Sequence, residues 1–231
     1  MPMPKALRPR PAPRRPPGPH PRGLPRDIRD ELNRTARAGR QQPAMARLER
    51  AIELLERGDA KGASSEARKA KELAPRSPTI REILGLALYV QDRFGEALSE
   101  MQAYRRMSGR ADQNHIIADC LRAAGHPERA VPLAEEALGA RGVPLSAKAE
   151  AVIVAASALA DMDKFDEALG LLRRVKTRDD VAGPEVLRVW YVMADILQRA
   201  GRTQEAERTF RRILRHDPAA YDVAERLAQL G

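Results

Sequence analysis

Residues 184–218 read PEVLRVWYVMADILQRAGRTQEAERTFRRILRHDP. Gly201 divides this stretch into two segments whose apolar residues recur at helical spacing. Trp190, Met193, Ala194 and Leu197 mark the first segment, and Ala206, Phe210, Ile213 and Leu214 mark the second. A glycine between two such segments ends one helix and turns the chain. The stretch therefore reads as a helical hairpin.

The hairpin has counterparts upstream. Ala206 is the last of five alanines in similar settings, after Ala63, Ala97, Ala130 and Ala168, at spacings of 34, 33, 38 and 38 residues. Twelve residues before each stands another small residue: Ala51, Gly85, Ala118, Ala156 and Ala194. Antiparallel helices approach most closely where both carry small side chains, because those side chains set the interaxial distance. Each small residue on a first helix is expected to face one on the second. A period of this length marks a stack of supersecondary units. Gly58 and Gly125 fall in the corresponding turns. Ser77-Pro78, Gly183-Pro184 and Asp217-Pro218 each place a capping residue before proline at a first helical position. The two longer spacings put lengthened connections near 139–147 and 176–184.

These residues resemble the tetratricopeptide repeat pattern, W-x2-L-G-x2-Y, then A-x3-F, then P. The last copy matches best, with Trp190, Ala194, Leu197, Ala206, Phe210 and Pro218. The second has Leu84-Gly85, Leu88, Ala97 and Met101. The first has Ala51, Leu54, Ala63, Ala70 and Pro75. The third has Ile117, Ala118, Leu121, Ala130 and Ala137, and the fourth Ala155, Ala156, Leu159, Ala168 and Leu172. Tryptophan occurs once, and the closing proline twice. The resemblance implies an all-α, right-handed α-solenoid of about five helix-turn-helix repeats over 41–231. The repeats fall near 44–77, 78–110, 111–144, 149–183 and 187–219, with a capping helix over 219–230. Arg26–Arg40 carries Ile28, Leu32 and Ala36 on one stripe and reads as an N-terminal amphipathic helix. Abundant arginine against few lysines (34 against 7) suggests a GC-rich bacterial source.

In that family the first helix of each pair lines a concave surface. The resemblance implies that Glu82, Tyr89, Asp112, His115, Asp119, Arg122, Arg188, Tyr191, Asp195 and Gln198 face it. One family subtype grips C-terminal carboxylates with a lysine and an asparagine four residues apart. Here the matching pairs are Leu48/Ile52, Glu82/Leu86, His115/Asp119, Ile153/Ser157 and Tyr191/Asp195, so no such clamp is expected. The acidic groups point instead to a partner segment carrying basic residues. Solvated i, i+3 and i, i+4 charge pairs are the competing explanation.

The 41 Lys/Arg and 32 Asp/Glu give a net charge of +9, and aromatic residues make up 3%. The charge is unevenly placed. Residues 1–40 hold eleven Lys/Arg and three Asp/Glu, so the remainder is nearly neutral. The first 25 residues contain ten of the 18 prolines. Proline lacks the helical N–H and clashes with the preceding turn. Residues 1–25 are therefore expected to be a disordered tail of polyproline II character. Such a tail can bind nucleic acid by charge, serve a proline-reading domain, or merely solubilise. With no aromatic residue, it does not stack on bases. No apolar signal core follows its basic start.

Chemistry-bearing patterns are sparse. His20, His115, His126 and His216 lack the i, i+4 spacing of a helical zinc site. His115 and Asp119 share a helical face but make only a pair. Cys120 sits among apolar residues, as a buried thiol does, and a lone cysteine forms no internal disulfide. No phosphate loop, nucleophile elbow or dinucleotide fingerprint occurs. The longest uncharged apolar stretch, 151–160, is too short for a bilayer. The expectation is a cytoplasmic, non-enzymatic scaffold without cofactor or metal, binding a protein segment in the groove. The alternative is a nucleic-acid- or ribosome-associated adaptor acting through the tail; an enzyme site assembled across repeats ranks last.

Overall fold

The computed structural model describes residues 23–175 and 183–230. The expected tail therefore lies outside the described residues, apart from its last three positions. Among the described residues there are twelve helices and no strand. They are α1 Arg26–Thr35, α2 Gln41–Glu56, α3 Ala60–Leu73, α4 Pro78–Val90, α5 Phe94–Ser108 and α6 Asn114–Ala123. Then follow α7 Pro127–Gly139, α8 Leu145–Asp161, α9 Phe165–Arg173, α10 Pro184–Arg199, α11 Thr203–His216 and α12 Val223–Leu230. Five hairpins, α2–α3 to α10–α11, stack in chain order. First helices also touch directly, α6 on α8 and α8 on α10. None of the described helices is long and apolar enough to cross a membrane.

The small residues of both helices lie inside the hairpins. All five residues on first helices, Ala51, Gly85, Ala118, Ala156 and Ala194, are buried. So are their counterparts Ala63, Ala97, Ala130, Ala168 and Ala206. At Gly85 the nearest atoms across the hairpin belong to Met101, one turn beyond Ala97. A Cβ there would lie 2.9 Å from Met101 Cγ. The close approach is thus glycine against methionine, not small against small.

Each hairpin turns at one left-handed residue: Gly58, Asp92, Gly125, Asp163 and Gly201, with φ between 59° and 83°. Ser77 caps α4, its Oγ accepting from Ile80 N–H at 3.1 Å, with Pro78 at the first position. Gly183 and Pro184 begin α10 with proline at the same position but no side-chain cap. Asp217-Pro218 behaves differently and does not start a helix. Asp217 closes α11 and its Oδ1 accepts from Ala219 N–H at 3.0 Å. The chain then passes through Tyr221 at φ 51° before α12 begins at Val223. An aspartate that can cap a helix can equally close its own turn. Of the two long connections, the first is the loop between α7 and α8; the second falls mostly outside the described residues.

The core is built in two large parts, with a small third cluster at Val143 and Ala147. Leu32, Leu48, Ile80, Leu84, Met101 and Ile116 belong to one cluster, and Trp190, Leu197, Phe210 and Ile213 to the other. α8 serves both. Its Ala151, Val154, Ala155 and Ala158 face the first, while Val152, Ile153, Ala156 and Ala160 face the second. A helix with apolar residues on two sides is buried on both.

Candidate interaction face

Asp112, His115, Asp119 and Arg122 recur at three- and four-residue steps, as do Arg188, Tyr191, Asp195 and Gln198. That spacing aligns side chains along one face of a helix, here along α10 and along α6, with Asp112 in the turn just before α6. Glu82 and Tyr89 lie two turns apart on α4.

The structure joins these side chains into a polar ladder that crosses the first helices. Gln113 Nε2 donates to Glu82 Oε1 at 3.0 Å, tying α6 to α4. Tyr89 O–H donates to Asp119 Oδ2 at 2.7 Å. Arg122 donates to Asp119 on its own helix at 2.9 Å and to Asp161 of α8 at 2.7 Å. Arg188 of α10 donates to Glu150 of α8 at 2.8 Å. Arg199 reaches the other oxygen of Asp161 at 3.1 Å. Asp112 accepts from Tyr104 O–H at 2.8 Å and pairs with Arg110 at 2.6 Å.

Burial separates the ten expected residues. Glu82, Tyr89, Asp112, His115, Asp119, Arg122, Arg188 and Tyr191 are buried, none more than 8% exposed; Asp195 and Gln198 are half-buried. Buried charges must be paired, because taking an ion out of water costs several kcal/mol. The Arg188–Glu150 pair meets that condition with both side chains inside. Burial pulls the Arg122 guanidinium towards losing its proton, but Asp119 and Asp161 outweigh it and hold the charge. Burial, with Glu82 and Asp112 nearby, drives the Tyr104 hydroxyl far above its ordinary range. Burial and then Asp119 likewise raise the Cys120 thiol, which keeps it protonated and unreactive. Among the described residues no three His, Cys, Asp or Glu side chains group as metal ligands. His115 and Asp119 make no such set.

At the C-terminal end α12 lies on this face. Arg226 donates to Asp195 Oδ1 at 2.8 Å, to Gln198 Oε1 at 2.5 Å and to the Tyr191 hydroxyl at 3.1 Å. Its guanidinium stands 5.4 Å from the Tyr191 ring centre and 5.0 Å from that of Phe210. Tyr191 in turn donates to Asp222 at 2.5 Å. Burial and Asp222 push its hydroxyl up to about 12. At the other end α1 packs on α2. Glu31 accepts from Ser77 Oγ, from Thr79 N–H at 3.2 Å and from Thr79 Oγ1 at 2.7 Å, at the start of α4.

Sequence reasoning missed Gln113, Glu150, Asp161, Asp222 and Arg226. A usable signal exists: the ladder partners sit roughly one repeat apart, as in Arg188–Glu150 at 38 residues and Arg122–Asp161 at 39.

Family patterns described as tetratrico peptide repeat and tetratricopeptide repeat match residues 117–221 and 48–114. No curated protein matches the chain. Among solved structures, the type IV pilus biogenesis factor PilW is similar at 14% identity and a TM-score of 0.68, over 82% of this chain and 86% of that one. TTC0263, a thermophilic TPR protein of Thermus thermophilus, is similar at 16% identity and 0.61, over 81% and 98%. YrrB, a TPR protein described as having an unusual peptide-binding site, is similar at 19% identity and 0.57, over 80% and 92%. With the repeat pattern matched in two blocks and the hairpins stacked in register, the chain belongs to the tetratricopeptide repeat family.

Proposed function

We propose that the chain is a non-enzymatic interaction scaffold that holds a peptide or helical segment of a partner protein against its concave face. The observation that carries this reading is Arg226. A side chain from a separate helix is received by Asp195, Gln198 and Tyr191 on the face formed by α10. Charge-assisted hydrogen bonds of this kind are the strong ones, and nearby aromatic faces add attraction for a guanidinium. Glu82, Asp112 and Asp119 continue the carboxylates along the same face, Asp112 and Asp119 already holding Arg110 and Arg122, so a partner segment with basic side chains fits. The peptide-binding description of the similar protein YrrB supports the same reading.

Affinity capture from cell extract with cross-linking tests it. Partner cross-links are expected on α4, α6, α8 and α10. Glu82→Gln combined with Asp112→Asn is expected to reduce capture at least fivefold in a variant that circular dichroism shows to be folded. Undiminished capture by that folded variant places the binding surface elsewhere.

A further inference from the structure

We propose that the concave face between the two end caps is the docking site for the chain's own residues 1–22. There their basic side chains stand against the carboxylates of the polar ladder and compete with an outside partner. The inference rests on the concave-face reading above and adds an occupant to it.

Burial is the first reason. Stacked repeats make an extended concave surface, and charged side chains on an open surface are wet. Here Glu82, Asp112, Asp119, Arg122, Glu150 and Arg188 are buried. α1 reaches the start of α4 and α12 lies on α10. The carboxylates of α6 and α8 stand between these caps.

Charge is the second. Residues 1–22 contain Lys5, Arg8, Arg10, Arg14, Arg15 and Arg22 and no acidic residue. The middle of the ladder carries Glu82, Asp112, Asp119, Glu150 and Asp161 against Arg110, Arg122, Arg188 and Arg199, an excess of one carboxylate. Arg226 already shows how the face takes a guanidinium.

Reach is the third. Leu24 N–H donates to Glu49 Oε1 of α2 at 3.0 Å, and Leu24 is buried. The preceding chain therefore departs from beside the first repeat. At ~3.1 Å per residue in a polyproline II strand, 22 residues span roughly 70 Å. Helices packed at about 8–10 Å put α10 some three helices, roughly 30 Å, from α4. A turn of such a strand is also ~9 Å, so Lys5 and Arg8 fall one helix spacing apart and Arg14 two spacings beyond.

A fluorescent synthetic peptide of residues 1–22 tests this on the full chain. Binding is measured to the unchanged chain and to one carrying Arg8→Gln, Arg10→Gln, Arg14→Gln and Arg15→Gln. The peptide is expected to bind the substituted chain at least tenfold more tightly, because its site has been vacated. Adding Glu82→Gln and Asp112→Asn is expected to weaken that binding at least fivefold. Equal binding to both chains, binding to neither, or indifference to Glu82 and Asp112 overturns the proposal.

Carbodiimide coupling of the unchanged chain gives a second reading that needs no variant. Lys5 is expected to join Glu82, Asp112, Asp161 or Asp195, in a yield that does not fall on dilution. Links only to Glu128, Glu136 or Glu207 on second helices overturn the proposal. So do links found only between differently isotope-labelled copies. An oligonucleotide that takes up residues 1–22 while the peptide ignores the substituted chain also overturns it. If the peptide fails but partner capture still depends on Glu82 and Asp112, the concave-face reading stands without a self-ligand. If the peptide binds but capture is indifferent to them, only the outside partner is lost.

Discussion

Asp92 and Asp163 do the work of glycine. At Gly58, Gly125 and Gly201 the sequence announces a left-handed turn residue, because only glycine adopts that conformation without steric cost. At the same place in the second and fourth hairpins stand aspartates, which tolerate it through local hydrogen bonding. Their position was nonetheless legible: all five left-handed residues lie seven positions after the small residue of the first helix. Nothing lies within 4 Å of a Cβ placed on Gly125, so the cost of a side chain there is purely backbone. Gly125→Ala is expected to destabilise by about 1 kcal/mol and Asp163→Gly to stabilise by about 0.5–1 kcal/mol. Urea melts of both variants check this. Shifts of the same sign for the two sink the argument.

At the scale of the helix, local chemistry decides starts well and packing partners poorly. Ser77-Pro78 was readable as a beginning because the local use of its serine, the cap on Ile80, is compatible with its second bond, to Glu31. Asp217-Pro218 has two uses, and the turn into α12 took the second. Arg226 could not be read at all. From the sequence it is one exposed charge on a short amphipathic helix, and its partners Tyr191, Asp195 and Gln198 lie about one repeat back. Those bonds fasten α12 together with the apolar contacts of Val223 and Leu227. Arg226→Ala is expected to cost roughly 1–2 kcal/mol, discounted because Asp195 is a third exposed. Amide exchange over 223–230 should rise far more than elsewhere. Unchanged protection of that helix shows that apolar contacts at Val223 and Leu227 hold it unaided. Burial and Asp222 already raise the Tyr191 hydroxyl, whereas Arg226 lowers it. The same variant should therefore move its ionisation further up, read by ultraviolet titration.

Across the whole molecule, the period showed the stack and its hairpins. The burial of the candidate face stayed hidden, because a helical wheel shows which side chains share a side but not what lies over them. Glu150 illustrates the point: in sequence it opens an apolar run, and in the fold it is the counter-ion of Arg188. Between neighbouring helices the charge pairs also set the response to acid. Glu66 of α3 accepts from Lys69 and from Arg47 of α2, and these bonds hold its carboxyl below the ordinary 4.5. A depressed folded-state value means the contribution is complete above pH 4.5 and disappears as pH falls through that lower value. Glu66→Gln is thus expected to destabilise by under about 1 kcal/mol at pH 7, with the gap closing towards pH 3. A pH series of thermal melts reads it directly. A gap that persists in acid means the loss is not ionic.

The double allegiance of α8 has a mechanical meaning. Had the two apolar clusters met at a seam of loops, tension on the ends would part the chain into two beads, each yielding in its own time. Because one helix is sunk into both, neither half can loosen without stripping a wall from the other. A pull on the termini therefore meets a single rod that gives way once.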